Sequence, residues 1–171
     1  MYRIPIFLLI DRSASIKGPN IFAQSNSVDV LIEDLSAESD LDPWLSVLTF
    51  SLYTTVHQTL SPLENLDFPP LSAGVGSSDL GSGLILANQL VNDSLTFDVE
   101  EDKPWMKPKL FIFTDGLLGD HFEMGHWDES KNAYSKVIFC AQTIPQFSLP
   151  KHVIPLSFSE IRGGSFTPYI R

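Results

Sequence analysis

The chain has 171 residues, 43% hydrophobic and 19% charged, which is the composition of a globular domain and excludes a disordered segment. The length allows one domain with a proper core, spanning residues 1–171, and is too short for two ordinary domains. The formal net charge of −10 argues against binding to nucleic-acid phosphates, which requires a basic surface.

The cysteine count and the N-terminus bear on the cellular compartment. Cys140 is the only cysteine, so no internal disulfide can form, as suits a reducing compartment. Apolar residues 4–10 follow Arg3 but lead into Asp11 without a small-residue cleavage site, which is not the pattern of a signal peptide. No later stretch approaches the roughly 18 consecutive apolar residues of a membrane span. We therefore expect a soluble cytoplasmic protein.

The first half of the chain is predicted to form a strand, a helix and two further strands. Residues 4–10 are continuously apolar, which is typical of a strand covered on both faces in a parallel sheet. Apolar residues at helical spacing then predict a buried helical stripe of Ile21, Phe22, Val28, Leu31, Ile32 and Leu35. Residues 40–43 are expected to break the pattern before strands at 44–50 and 53–60. The polar, β-branched character of the last strand indicates an antiparallel edge.

The second half continues the alternation of helices and strands. A helix with a buried stripe of Leu80, Leu84, Ala87, Val91 and Leu95, capped by Ser77 or Ser78, is predicted. Strands follow at 109–113, 136–141 and 153–158, with one short helix at most between residues 117 and 134 and a short tail at 159–171. The expected fold class is α/β: a Rossmann-like, doubly wound, mostly parallel six-stranded sheet with one antiparallel edge strand.

Oxygen-bearing side chains stand at three predicted junctions between strands and helices. The first junction carries Asp11, Ser13 and Ser15, the second Ser77, Ser78 and Asp79, and the third Thr114 and Asp115. Parallel strands bring such junctions to one edge of the sheet, where α/β proteins bind their ligands. Hydroxyl and carboxylate oxygens are the ligands that Mg²⁺ prefers, so these residues predict a metal site.

These three elements resemble the metal-ion-dependent adhesion site (MIDAS) of the von Willebrand factor A (VWA) domain. The run Asp11-Arg12-Ser13-Ala14-Ser15 matches the family's D-x-S-x-S motif, Ser78 stands in the place of its threonine, and Asp115 matches its later aspartate. The resemblance extends from residue 4 to about residue 158. It is closest to the small intracellular bacterial members of the tellurium-resistance type, which share the T-D-G element.

The resemblance implies both a cofactor and a kind of partner. Ser13, Ser15 and Ser78 would offer hydroxyls to Mg²⁺, or to Mn²⁺ or Ca²⁺, and Asp11 and Asp115 would bind it directly or through water. One coordination position would stay open for an Asp or Glu of a protein partner. The expected function is therefore a non-enzymatic interaction module, a scaffold or regulator in a bacterial stress, signalling or defence system, without contact to nucleic acid or membrane.

Some alternatives remain open from the sequence. One is a Mg²⁺-dependent phosphohydrolase with Asp11 as nucleophile, and another is a structural domain with a vestigial site that binds no ion. A second metal site at His121 and His126 is disfavoured because their spacing fits no zinc template. Trp105 and Trp127 fall in polar stretches and are candidate partner contacts.

Overall fold

The computed structural model describes residues 1–68, 70–94, 104–117, 125–144, 149–162 and 164–171. It contains six strands: β1 (Tyr2–Asp11), β2 (Leu41–Phe50), β3 (Thr54–Pro62), β4 (Lys109–Thr114), β5 (Lys136–Ala141) and β6 (Val153–Ser157). The α-helices are α1 (Pro19–Ala37), α2 (Leu80–Ser94), α3 (Gly125–Ala133), α4 (Phe158–Arg162) and α5 (Thr167–Ile170), and a 3₁₀ turn occupies Leu63–Asn65.

All six strands form one sheet in the order β3-β2-β1-β4-β5-β6. β1 pairs in parallel with β2 and β4, β4 with β5, and β5 with β6, whereas β2 and β3 form an antiparallel pair at the margin. The predicted fold class is confirmed, including the antiparallel edge strand. Because β1 lies in the middle of the sheet, its carboxyl end is flanked by the ends of β2 and β4.

The alternation of side chains along β1 divides the core into two layers. Ile4, Ile6, Leu8 and Ile10 pack on one face with α1, α4 and α5. Phe7 and Leu9 pack on the other face with α2 and α3. Every second residue of a strand points to the same face, so a continuously apolar strand is required where helices cover both faces.

Several details of the predicted elements were wrong. Residues 41–43 do not break the pattern but begin β2, with Pro43 opposite Ile4. β3 begins at Thr54, one residue after the predicted start, and ends at Pro62, two residues after the predicted end. Phe22 is 68% exposed and does not belong to the buried stripe of α1. Trp127 is fully buried in α3, where its ring packs edge-on against Phe139, 6.3 Å away.

Two further predictions were confirmed, and one concerns a residue outside the described ranges. Cys140 is buried in β5, and the described residues between 117 and 134 form one short helix, α3. Leu95 lies outside the described residues. Among the described residues, no helix has both the length and the apolar character that are needed to span a membrane.

Candidate metal centre

Asp11 lies at the centre of the candidate site, at the carboxyl end of β1. Its side chain is fully buried. Oδ1 accepts a hydrogen bond from the backbone N–H of Ser13 at 2.7 Å. Oδ2 accepts hydrogen bonds from the hydroxyls of Ser78 at 3.0 Å and Thr114 at 2.7 Å. Both carboxylate oxygens are therefore held in fixed directions.

The loop after β1 carries the two serines of the D-x-S-x-S motif. The hydroxyl oxygens of Ser13 and Ser15 lie 2.9 Å apart; Ser13 is buried and Ser15 is exposed. The N–H of Ala14 donates to the carbonyl of Gly76 at 3.0 Å, so this loop is tied to the segment that leads to Ser78. A pair of hydroxyls at hydrogen-bond distance can both turn their lone pairs towards one cation.

Ser78 reaches the site from the start of α2. The residue that caps this helix is Asp79, and the prediction of Ser77 or Ser78 as the cap was wrong. Oδ1 of Asp79 accepts the N–H of Ser82 at 3.1 Å, which is the position an N-cap side chain satisfies. Because Asp79 takes the capping role, the hydroxyl of Ser78 is free to turn inward to Asp11.

The third element follows β4. The hydroxyl of buried Thr114 donates to Asp11 and accepts the N–H of Gly116 at 3.1 Å. Gly116 has φ +89°, and a Cβ there would lie 1.9 Å from the carbonyl oxygen of Thr143. No residue but glycine fits this turn, which follows Asp115 directly.

Asp115 has one satisfied and one unsatisfied carboxylate oxygen. Its Oδ1 accepts the N–H of Leu117 at 2.9 Å. Its Oδ2 is buried and has no hydrogen-bond partner among the described residues. A buried carboxylate oxygen without a partner is costly, and a cation beside it removes that cost. The donors present therefore fit a hard divalent ion.

The burial of Asp11 has an electrostatic consequence. Desolvation raises the pKa of the carboxyl group above its ordinary value, and the hydrogen bonds from Thr114, Ser13 and Ser78 act in the opposite direction. A nearby positive charge favours the ionised form of a carboxyl group. An ion in this site would therefore offset the desolvation that burial imposes on Asp11.

The structure brings the predicted site residues to one edge of the sheet. Direct hydrogen bonds join Asp11 to Ser13 and Ser78, Ser13 to Ser15, and Asp11 to Thr114, the residue before Asp115. Their role in metal binding stays a prediction. Thr114 was predicted at the third junction but not among the metal ligands, and its hydrogen bond to Asp11 is visible only in the structure.

The remaining sequence candidates lie elsewhere or contact other groups. Within the described ranges, no three His, Cys, Asp or Glu side chains are placed to hold a metal, and His121 lies outside those ranges. His126 lies beside Gly81 at the start of α2. Trp105 is partly buried, with its ring 5.3 Å from the guanidinium carbon of Arg3. Arg12 donates to the carbonyl and hydroxyl oxygens of Ser72.

Comparison with known proteins identifies the fold through solved structures alone. No protein-family model matches the chain, and no curated protein matches it by sequence. A von Willebrand factor type A protein from Catenulispora acidiphila aligns with a TM-score of 0.59 and 14% identity, covering 82% of this chain and 33% of that protein.

A second similar structure is proximal thread matrix protein 1 of the mussel byssus. It aligns with a TM-score of 0.66 and 18% identity, over 99% of this chain and 47% of that protein. Another structure of the mussel protein, described as having a zinc-occupied MIDAS motif, aligns with a TM-score of 0.62 and 17% identity. The chain thus spans about a third and about half of the lengths of these two proteins. Its fold is that of the von Willebrand factor A domain.

Proposed function

We propose that this chain is a metal-dependent protein-interaction module. It binds one divalent cation, which we take to be Mg²⁺, through Asp11, Ser13, Ser15, Ser78 and Asp115. The bound ion in turn binds a carboxylate of a protein partner. The observation that carries the proposal is Oδ2 of Asp115, a buried carboxylate oxygen without a hydrogen-bond partner among the described residues. Such an oxygen is stabilised by a cation.

The mixture of ligands also supports an ion that takes a further ligand. Two carboxylates match the charge of a divalent cation, and the other three donors are neutral hydroxyls. Mg²⁺ takes six oxygen ligands and commonly keeps some as water, so five protein donors leave room for an oxygen from outside. The zinc reported in the mussel protein is a reason to include Mn²⁺, Ca²⁺ and Zn²⁺ in the tests.

We propose that the module is not an enzyme. A nucleophilic carboxylate must present an oxygen to its substrate, whereas Asp11 is fully buried and its two oxygens accept three hydrogen bonds. The phosphohydrolase alternative would be restored by turnover of a generic phosphate ester that is lost in Asp11→Ala. The resemblance to intracellular bacterial proteins is the basis for proposing a cytoplasmic scaffold or regulator of a stress, signalling or defence assembly.

Calorimetric titration of Mg²⁺ and Mn²⁺ into the metal-free protein tests the proposal. We expect one site in the wild type, no binding in Asp11→Ala, and greatly weakened binding in Asp115→Asn, which keeps the side-chain shape. The matched control is Asp29→Ala, an exposed carboxylate on α1, which should bind as the wild type does. Equal binding by Asp11→Ala and Asp29→Ala would refute the site.

A further inference from the structure

Large exposed apolar side chains are concentrated at the edge of the sheet that carries the candidate metal centre. Nine such residues occur in the described part of the chain. Met1 and Tyr2 lie at the opposite edge, and Ile85 lies on α2. The other six lie just after the carboxyl ends of β2, β4 and β5, or in or before the first turn of a helix that begins at this edge. We call them the apolar rim: Phe22, Leu52, Tyr53, Val75, Leu117 and Ile144.

Backbone contacts fix the rim to the loops of the metal centre. On the β2 side, a Cβ on Gly76 would lie 3.0 Å from Cβ of Leu52, and the carbonyl of Gly76 accepts the N–H of Ala14. Val75 and Leu52 therefore lie beside the loop that carries Ser13 and Ser15.

On the β5 side, the carbonyl of Asp115 accepts the N–H of Thr143 at 3.2 Å. This bond places Ile144, the next residue, beside the segment that carries Leu117. Leu117 itself donates its N–H to the carboxylate of Asp115. Apolar side chains thus flank the site on both sides, with the ends of β1 and β4 between them.

The strand order sets the length of a ligand that would contact both sides. From β2 to β5 the sheet crosses three strand spacings, or about 14 Å at roughly 4.8 Å per spacing. An extended peptide advances about 3.3 Å per residue, so about four residues cover this distance. A residue bound at the centre would have its flanking contacts about two positions away on each side.

Charge limits the kind of segment that fits. The chain carries a net charge of −10 and would repel an acidic tract, whereas a single carboxylate can be held by the ion. Lys17, which is exposed, and Arg12 lie on the metal loop and favour one negative group there. The apolar rim gains most from apolar neighbours of that group, because burial of exposed apolar area favours association.

We propose that the partner presents an extended segment in which one Asp or Glu is flanked, about two positions away on each side, by large apolar side chains. This inference rests on the proposed function, since the ion holds the central carboxylate. The apolar rim then determines which acidic segments are bound.

A displayed peptide library tests the inference. Nine-residue segments with a fixed central Asp and random flanks are bound to the Mg²⁺-loaded protein and eluted with EDTA, beside a library with a central Asn. We expect enrichment of Leu, Ile, Phe, Tyr or Trp two positions from the Asp. EDTA elution from the Asp library without such enrichment would overturn this inference and leave the proposed function intact. Equal elution of both libraries would overturn the two together.

Variants of the rim provide the second readout. Tyr53→Ser and Ile144→Ser remove exposed side chains that take no part in the metal centre, so Mg²⁺ binding by calorimetry should be unchanged. A selected peptide should bind each variant about tenfold more weakly, as expected for the loss of one apolar contact. Tyr2→Ser, at the opposite edge, is the matched control. Equal peptide affinity in all three variants would contradict the assigned surface.

Discussion

Removal of the Thr114 hydroxyl measures how much its hydrogen bonds in the candidate site contribute to the stability of the fold. Replacement of Thr114 by Val keeps the shape of the side chain and removes one hydroxyl. That hydroxyl donates to Oδ2 of Asp11 at 2.7 Å and accepts the N–H of Gly116 at 3.1 Å. A hydrogen bond to a charged group contributes about 1.5–3 kcal/mol, and the N–H left without an acceptor adds roughly 1 kcal/mol. We expect a loss of about 2.5–4 kcal/mol in the free energy of unfolding.

Urea denaturation of the metal-free protein measures this loss. Thr114→Ser, which keeps the hydroxyl, should lose much less stability than Thr114→Val. Thr55→Val, at an exposed position of β3, should stay within about 0.5 kcal/mol of the wild type. Loss of a side chain that orients a metal ligand typically weakens binding by about tenfold or more, so Mg²⁺ affinity should also fall in Thr114→Val. If Thr114→Val and Thr55→Val were equally stable, the assigned role of the hydroxyl would be refuted.

Three further predictions concern stability. Burial, and then the charge of Lys136, lowers the pKa of Lys109 to about 8 from its ordinary value of 10.5. Below pH 8 the folded state therefore holds a buried charge that is better solvated in the unfolded chain, and Lys109→Met should raise the melting temperature at pH 7. This gain should shrink as the pH rises from 8 to 10.5 and be absent above pH 10.5. Gly116→Ala should lower the free energy of unfolding in urea by about 3 kcal/mol or more, because its Cβ would overlap the carbonyl of Thr143; wild-type stability would show that the turn is not constrained. Trp127→Ala should lose about 3–5 kcal/mol in the same assay, since the indole is fully buried, and a loss below 1 kcal/mol would mean that the ring is not part of the core.

The sheet could be predicted because strands covered by helices on both faces are continuously apolar, which is the clearest pattern in this sequence. The apolar runs at residues 4–10 and 110–113 have no polar face, and they became the adjacent central strands β1 and β4. The polar residues of β3 predicted an edge for the complementary reason, since one side of that strand faces solvent. Two of the three site loops were found by the same logic, as oxygen-bearing residues directly after those runs, whereas Ser78 stands just before a predicted helix.

The roles of individual side chains in the site could not be predicted, because they depend on contacts between residues that are far apart in the sequence. Asp79 and Ser78 are neighbours of similar capping preference, and the contact between Ser78 and Asp11 assigns the cap to Asp79. Thr114 was seen only as a neighbour of Asp115, because its partner Asp11 lies 103 positions earlier. Phe22 fits the helical period and is nevertheless exposed, because Ala23 and Gln24 are the buried residues at this end of α1.

The C-terminal residues have a practical consequence for how the protein is attached to a surface. The guanidinium group of Arg171 contacts Glu38, just before β2, and Lys136, the first residue of β5, donates to the carbonyl of Pro168. Tyr2 begins β1, so residues 2 and 171 both lie at the edge where the parallel strands start. A tag or a chip linkage at either end therefore leaves the candidate metal centre facing the solution, which suits the peptide selection and any capture of partners.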